Sequence, residues 1–312
     1  MTSISPVTNL DFNETKEALK TFLKNQSQFK DFDYEGSNMN VLIDVLSYNT
    51  FYNSYYYNMA ISEMFLDSAT QRNSVISHAK ELNYMPTSRR SAATKATISV
   101  TASSISSNYF NIPKHTQFIG RCGNKTYNLI TDKAYNAIRS TSNDSAYTVT
   151  DVDLYEGRMI TETLSSDQTT LSNANIDTRS LIVTVNGDVY TYRADIFGIS
   201  ATDKVFYIQP ENDGNYSVQF GKNKFGSEPT ITDSIIATYR VTAGPSANGI
   251  SSLTSGGFGG ASSITISLNA ITSGGSLAED IDSIRTFAPK ALQVQERAVT
   301  KRDYETLLRA RF

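Results

Sequence analysis

Tryptophan is absent, cysteine occurs once and histidine twice in 312 residues. A single cysteine, Cys122, forbids an internal disulfide and fits assembly in a reducing cytoplasm. Histidine is the usual proton shuttle near neutral pH, so two of them leave little material for acid–base chemistry. No stretch approaches about eighteen apolar residues, which argues against a helical membrane span. The opening MTSISPVTNLDF has no basic region followed by an apolar core, so no secretory signal is visible. A net charge of −3 gives no general attraction to nucleic acid or to an anionic membrane. What is abundant is tyrosine, 18 residues of it, among many Ser, Thr and Asn, which suits a β-rich protein with large contact surfaces.

The length suits two or three domains. Residues 1–90 read as helical. Asp11 and Glu14 cap a first helix running to about Asn25, with Ala18, Leu19, Phe22 and Leu23 on its buried side. Gly36-Ser37 opens a long second helix to about Leu66. Ser68 and Gln71 form a capping box for a third, which ends before Pro86. The second helix is unusual. Its apolar side chains (Val41, Leu42, Val45, Leu46, Tyr48, Phe51, Tyr52, Tyr55, Tyr56, Met59) cover an arc of roughly 220° at 100° per residue. A surface helix needs little more than about 100°. Burial on two sides follows, one inside the domain and one against a partner. Tyr48, Phe51, Tyr52, Tyr55 and Tyr56, spaced i, i+3, i+4, i+7 and i+8, form the partner-facing stripe.

From Ala93 the pattern changes to short β segments. Thr97–Thr101 alternates with period two, and Val183–Tyr190 reads as a hairpin about Asn186-Gly187 with a type I′ turn. Residues 205–208, 216–220 and 235–241 are further strands, and Gly244–Ser263 reads as a long Gly/Ser surface loop. A composition change near Ile176 divides this region into 91–175 and 176–273. In residues 274–312, Ser276 and Glu279 fit a capping box for a helix opening near Leu277, with Gly274-Gly275 as the structural turn into it. Pro289 stops that helix, Leu292, Val294 and Glu296 suit a short strand, and Thr300 with Asp303 opens a last helix bearing Tyr304, Leu307 and Leu308. The fold class is therefore α+β: a helical N-terminal segment, a β-rich middle and the start of a C-terminal α/β domain.

Residue sets that carry chemistry elsewhere are incomplete here. His78 has no Cys or Asp at ligand spacing, and Cys122 has no neighbouring base. Gly256–Gly260 lacks the Gly-Lys-Ser/Thr of a phosphate loop. Asp151 with Asp153, and Glu279 with Asp280, read as turn charge and helix-dipole complement. Asp213-Gly214 and Asn186-Gly187-Asp188 lack the other ligands of a calcium loop. Arg89, Arg90 and Lys95 are too few for a nucleic-acid face. No catalytic residue, metal ligand or cofactor is expected.

The order Ala278-Glu279-Asp280-Ile281-x-x-Ile284-Arg285, then Ala288-Pro289, then Arg297-Ala298-Val299-Thr300-x-x-Asp303-Tyr304-Glu305, resembles the baseplate J-like family of contractile phage tails. Within it the likeness is greatest to the wedge subunits of T-even-type baseplates. Ile112-Pro113-Lys114-His115-Thr116-Gln117-Phe118 is similar to the family's I-P-x-G-T-x-F, with His115 where glycine is usual. If that glycine holds a left-handed backbone, histidine is among the residues that tolerate it better than most. Tyr155-Glu156-Gly157, Asn175-Ile176-Asp177-Thr178, Val218-x-Phe220-Gly221 and Tyr239-x-x-Thr242-x-Gly244-x-x-Ala247-Asn248-Gly249 also follow the family pattern in order. The resemblance implies a structural virion protein, not an enzyme. Its partners would be a second copy of itself, other wedge proteins, and neighbouring wedges in a sixfold ring around the tail hub. In the family the Arg297–Glu305 helix opens a further domain, so either this member is short or, as the favoured expectation, the polypeptide is longer. A tail fibre or adhesin is the alternative suggested by the many short strands and Tyr- and Asn-rich turns, but it leaves the two-faced helix unexplained.

Overall fold

A computed structural model describes residues 11–308 except 27, 29–33, 35, 104–106, 142–144, 212–213, 256–259, 295–296, 302 and 306–307. The fold is α+β, helices first and strands after. The described residues divide into two units, one running to Tyr84 and resuming at Ile281, the other Met85–Asp280.

In the helical unit, α1 spans Phe12–Lys24, and the Asp11 carboxylate accepts from the amides of Asn13 and Glu14 at 2.7 and 3.2 Å. Helix α2 spans Asn38–Glu63, with Ser37 accepting from the Asn40 amide at 3.1 Å. Helix α3 spans Arg72–Glu81, but the expected Ser68–Gln71 box does not form. Ser68 donates instead to the Ser62 carbonyl at 2.6 Å. The start of α3 is tied by Glu63, whose carboxylate accepts from the Thr70 amide and hydroxyl and from the Gln71 amide at 2.7–3.2 Å. A carboxylate from the preceding helix has taken over the local cap, which spacing rules do not anticipate.

Helix α4 spans Ile281–Val294 and corrects three expectations. It does not open at Leu277, because the Ser276–Glu279 pair is engaged elsewhere. Ser276 exchanges backbone bonds with Arg90, and Glu279 accepts from the Thr87 amide at 3.0 Å. It does not stop at Pro289, although a proline inside a helix costs about 3 kcal/mol. Ile281, Ile284, Phe287, Ala288 and Ala291 pack with Ala69, Val75, Ala79 and Tyr84 on both sides of the proline, so burial carries the helix through. The expected strand is absent, since Leu292 and Val294 belong to α4 and Glu296 lies outside the described residues. Arg285 anchors this helix by donating to the carbonyls of Leu66 and Ala69 at 3.0 and 2.6 Å. Thr300 and Asp303 do form the expected cap, the Asp303 carboxylate accepting from the Thr300 amide at 2.8 Å. Leu307 lies outside the described residues, and Tyr304 and Leu308 are exposed.

The β unit holds two sheets. Strands β1 (Ala93–Thr101), β2 (Tyr109–Ile112), β3 (Gln117–Cys122), β4 (Lys125–Thr131), β5 (Tyr135–Arg139) and β6 (Ala146–Glu156) belong to the first. The second takes β7 (Arg158–Leu164), β8 (Ile176–Val185), β9 (Asp188–Tyr192), β10 (Val205–Pro210), β11 (Tyr216–Phe220) and β12 (Ile235–Val241). Strands β13 (Leu253–Ser255) and β14 (Ser263–Leu268) return to the first. The first sheet runs β13-β3-β4-β6-β1-β14, with β2 joined to β5 and β5 to β6; the second runs β11-β10-β9-β8-β12-β7. All pairs are antiparallel except β9 with β10. The β8–β9 hairpin turns at Asn186-Gly187 with φ of 52° and 89°, as a type I′ turn requires. The chain changes sheet at Gly157, so the division near Ile176 does not follow the sheets. Nor is Gly244–Ser263 simply a surface loop. It includes a 3₁₀ turn at Gly244–Ala247 and strand β13, and Ala247 and Ile250 are wholly buried. Gly256–Gly259 within it lie outside the described residues.

Motifs that are individually weak in sequence meet at the change of sheet. Asp177, on β8, is wholly buried and accepts from the Ser91 amide at 3.1 Å and from the Arg179 side chain at 3.1 and 3.2 Å. The Arg240 guanidinium lies 3.8 Å from Asp177 and 4.5 Å from the centre of the Tyr155 ring. Glu156 accepts from the Thr242 hydroxyl at 2.6 Å and from the Ala243 amide. Gly157, at φ 136°, makes room for this: a Cβ there would stand 2.6 Å from both Arg240 Cγ and the Val241 carbonyl. Gly275 is structural for a similar reason, lying against the Gly244 carbonyl and doubly bonded to the Asn248 side chain at 2.9 Å.

His115 has φ 62°, so the histidine does hold the left-handed position that glycine would fill. Its amide donates to Thr131, and the Thr116 hydroxyl closes the turn on the Pro113 carbonyl at 2.6 Å. A left-handed residue with a Cβ carries about 1–2 kcal/mol of strain. His115→Gly is therefore expected to stabilise the protein by about 0.5–1 kcal/mol, after the unfolded-state entropy of glycine offsets part of the relief. A rise in the denaturant midpoint checks this.

Candidate protein-interaction surface

Helix α2 is built inside out. Its buried positions are Asn40, Ile43, Ser47, Asn58 and Ser62, four polar and one apolar. Its large apolar residues face solvent: Val41, Leu42, Val45, Leu46, Tyr48, Tyr52, Tyr55 and Tyr56 are exposed, Val45 at 59 % and Tyr56 at 61 %. Phe51 and Met59 are half-buried. Small Ser47 and Ser62 return their hydroxyls to carbonyls of the same helix, so the covered side needs no outside polar partner there. Helix α1 leans on α2 through Lys16, 2.6 Å from Asp44. It does not bury the expected Ala18, Leu19, Phe22 and Leu23. None of its residues is buried, and Phe22 is 63 % exposed.

The five stripe residues expected from spacing stand together. Tyr48 donates its hydroxyl to Tyr52 at 2.8 Å with the rings edge to face. Contacts between ring centres continue from Phe51 to Tyr52, from Tyr52 to Tyr56 and from Tyr55 to Tyr56 at 5.9–6.3 Å. The exposed face resolves into two adjacent seams. Val41, Val45, Tyr48, Tyr52 and Tyr55 follow alternating steps of four and three residues, and so do Leu42, Leu46, Asn49, Asn53 and Tyr56. That is the coiled-coil period. Sequence reading found the apolar arc and missed its division into seams, one of them interrupted by asparagine. The only charges on α2, Asp44 and Glu63, are engaged by Lys16 and by the start of α3. The face is neutral.

The other candidate residues are dispersed. His78 Nε2 lies 2.9 Å from the Glu63 carbonyl, and Cys122 donates to the Asn248 carbonyl at 3.3 Å. Burial lowers the pKa of His115, and Lys114 adds to it. Asp151 has φ 55° at an irregularity of β6, which breaks the alternation with Asp153. Asp153 meets Lys95, Lys133 and Tyr135 at the surface, and Asp188 meets Lys204. Asp213 lies outside the described residues. Among the described residues no group of three or more His, Cys, Asp or Glu side chains is placed to hold a metal ion. No described helix is long and apolar enough to cross a membrane.

Residues 11–84, the segment bearing α1 to α3, match the family described as baseplate wedge protein gp6-like, helical domain. Along 96 % of its length the chain is 29 % identical to the baseplate wedge protein gp6 of Enterobacteria phage T4. It spans half the length of that relative. Among solved structures it is similar to a chain in the cryo-EM structure of the anti-feeding prophage baseplate, at 11 % identity and a TM-score of 0.30. That likeness covers 96 % of this chain and 62 % of the other, and at such a score it carries no weight. The helical segment with the inside-out α2 is thus the part that matches the gp6-like helical domain, and along nearly all of its length the chain is similar to a baseplate wedge protein.

Proposed function

We propose that this protein is a structural subunit of a phage tail baseplate wedge and works by assembly, without a catalytic centre or cofactor. The observation that carries the reading is the kinship with T4 gp6 along nearly the whole chain. The neutral, apolar outer face of α2 supports it independently. A soluble monomer rarely exposes so large a contiguous apolar surface unless a partner covers it. In this reading Tyr48, Phe51, Tyr52, Tyr55 and Tyr56 form the partner interface. Two adjacent seams suit a bundle in which α2 meets more than one helix, from a second copy and from another wedge protein. Neighbouring wedges then close a sixfold ring around the hub, after assembly in the host cytoplasm. The motif order from Ile112 to Glu305 further favours kinship with the baseplate J-like family.

The test is localisation in the virion. Antibody raised against the β unit and labelled with gold should decorate the baseplate end of the tail in negatively stained particles. Label confined to fibre tips would favour an adhesin, and label on the capsid would exclude both.

A further inference from the structure

We infer that Asn49 and Asn53 are the register lock of α2, meeting the same two residues of a second copy of this chain when the helices pair. The inference rests on the wedge reading above and adds the specificity device within its interface. Along the second seam the order is Leu42, Leu46, Asn49, Asn53, Tyr56, so an amide pair interrupts an apolar row at its middle. Both asparagines are exposed, and Asn53 Nδ2 donates to Asn49 Oδ1 at 3.0 Å, which aligns the amides on one face. Each amide still has donor and acceptor capacity to offer outward.

A second copy is the occupant that this face suits. Asp44 and Glu63 are engaged within the chain, so two copies of α2 meet without like-charge repulsion. The polar groups are self-complementary, because an amide both donates and accepts. The exposed apolar residues of the face offer roughly 900 Å², about one partner's share of a standard interface. The seam is also symmetric in its spacing. Parallel helices bring Asn49 to Asn49 and Asn53 to Asn53, whereas antiparallel helices centred at Phe51 bring Asn49 to Asn53. In the parallel pairing a shift by one heptad places Asn49 against Leu42 or Tyr56 and Asn53 against Leu46 or Ala60, burying each amide without an amide partner. Such a mismatch disfavours the shifted pairing by about tenfold or more.

The test uses the full chain with Cys122→Ser and a spin label on Thr50→Cys, an exposed position beside the pair. Light scattering gives stoichiometry, and pulsed electron resonance gives the distance between labels. The parent should associate with one narrow distance. Asn49→Leu with Asn53→Leu should associate about tenfold more tightly and show several distances, as registers become equivalent. Asn49→Asp with Asn53→Asp should weaken association by about tenfold or more through facing carboxylates. A single unchanged distance in the leucine variant overturns the register lock, and so does unchanged association of the aspartate variant. A parent that stays monomeric at about 100 μM, a weak-complex concentration, overturns self-pairing. Gold label at the baseplate together with a monomeric parent would sink only this inference; label elsewhere sinks the wedge reading itself.

Discussion

Replacing Tyr48, Tyr52 and Tyr55 together by serine is expected to abolish assembly with wedge partners while leaving both units folded. The rings are 39–55 % exposed, so the isolated chain gains little from them. In a bundle they would bury roughly 300 Å² more apolar surface, a gross gain of about 7 kcal/mol. Ordering and rigid-body costs consume much of that. A net loss of at least about 3 kcal/mol remains, more than a hundredfold in affinity. Co-purification of tagged chain with the other wedge proteins measures it, with the thermal midpoint as a folding control. Normal assembly by a folded triple variant would mean that the stripe is not the interface.

Removing the Asp177 carboxylate should have the largest effect on stability. Asp177→Ala is expected to cost about 3–5 kcal/mol, the range for breaking a buried charge pair by deleting one partner. Arg240 is 3 % exposed, and its Nε and Nη1 already lack a hydrogen-bond partner among the described residues. Without Asp177 the guanidinium loses its nearest buried carboxylate, and the Ser91 amide loses its acceptor. Burial works against the ionised carboxylate, but the Arg179 hydrogen bonds and charge, the Ser91 amide and Arg240 outweigh it. The group therefore titrates below its ordinary 3.8. Its contribution is complete above the unfolded value and is lost as pH falls through the lower folded one. The parent should thus lose stability below about pH 4 with a component that Asp177→Asn lacks. Denaturant titrations at several pH values measure both. A small loss at neutral pH would show that the junction does not support the fold.

Elements whose signals lie within a few residues were legible in advance. Asp11 and Ser37 cap where local rules put them, and Asn186-Gly187 makes its hairpin turn. The aromatic spacing on α2 identified the stripe because helical geometry alone determines which side chains share a face. Expectations failed where a distant group competed for the same atoms. Glu63 replaced the cap assigned to Ser68, and strand-like pairing with residues 87–90 took Ser276 and Glu279 away from α4. Pro289 was read from its local bias, whereas Ile284 and Ala288 gain their burial from α3. Tyr155-Glu156-Gly157, Asn175–Thr178 and Tyr239–Gly249 were visible as patterns, but nothing in their spacing reveals a shared buried junction.

The sequence by itself determined the α+β order, the helix and hairpin ends with local caps or turns, and the helical face on which the tyrosines lie. Short-range hydrogen bonding and backbone geometry depend on neighbours that the chain order already supplies. Only the tertiary structure decided which face of α2 is covered, that α4 joins the N-terminal helices, and that Asp177, Arg240 and Glu156 meet where the chain changes sheet. These outcomes depend on burial and on pairing between residues far apart in the chain. The energy of such contacts is realised only once the whole chain has brought them together.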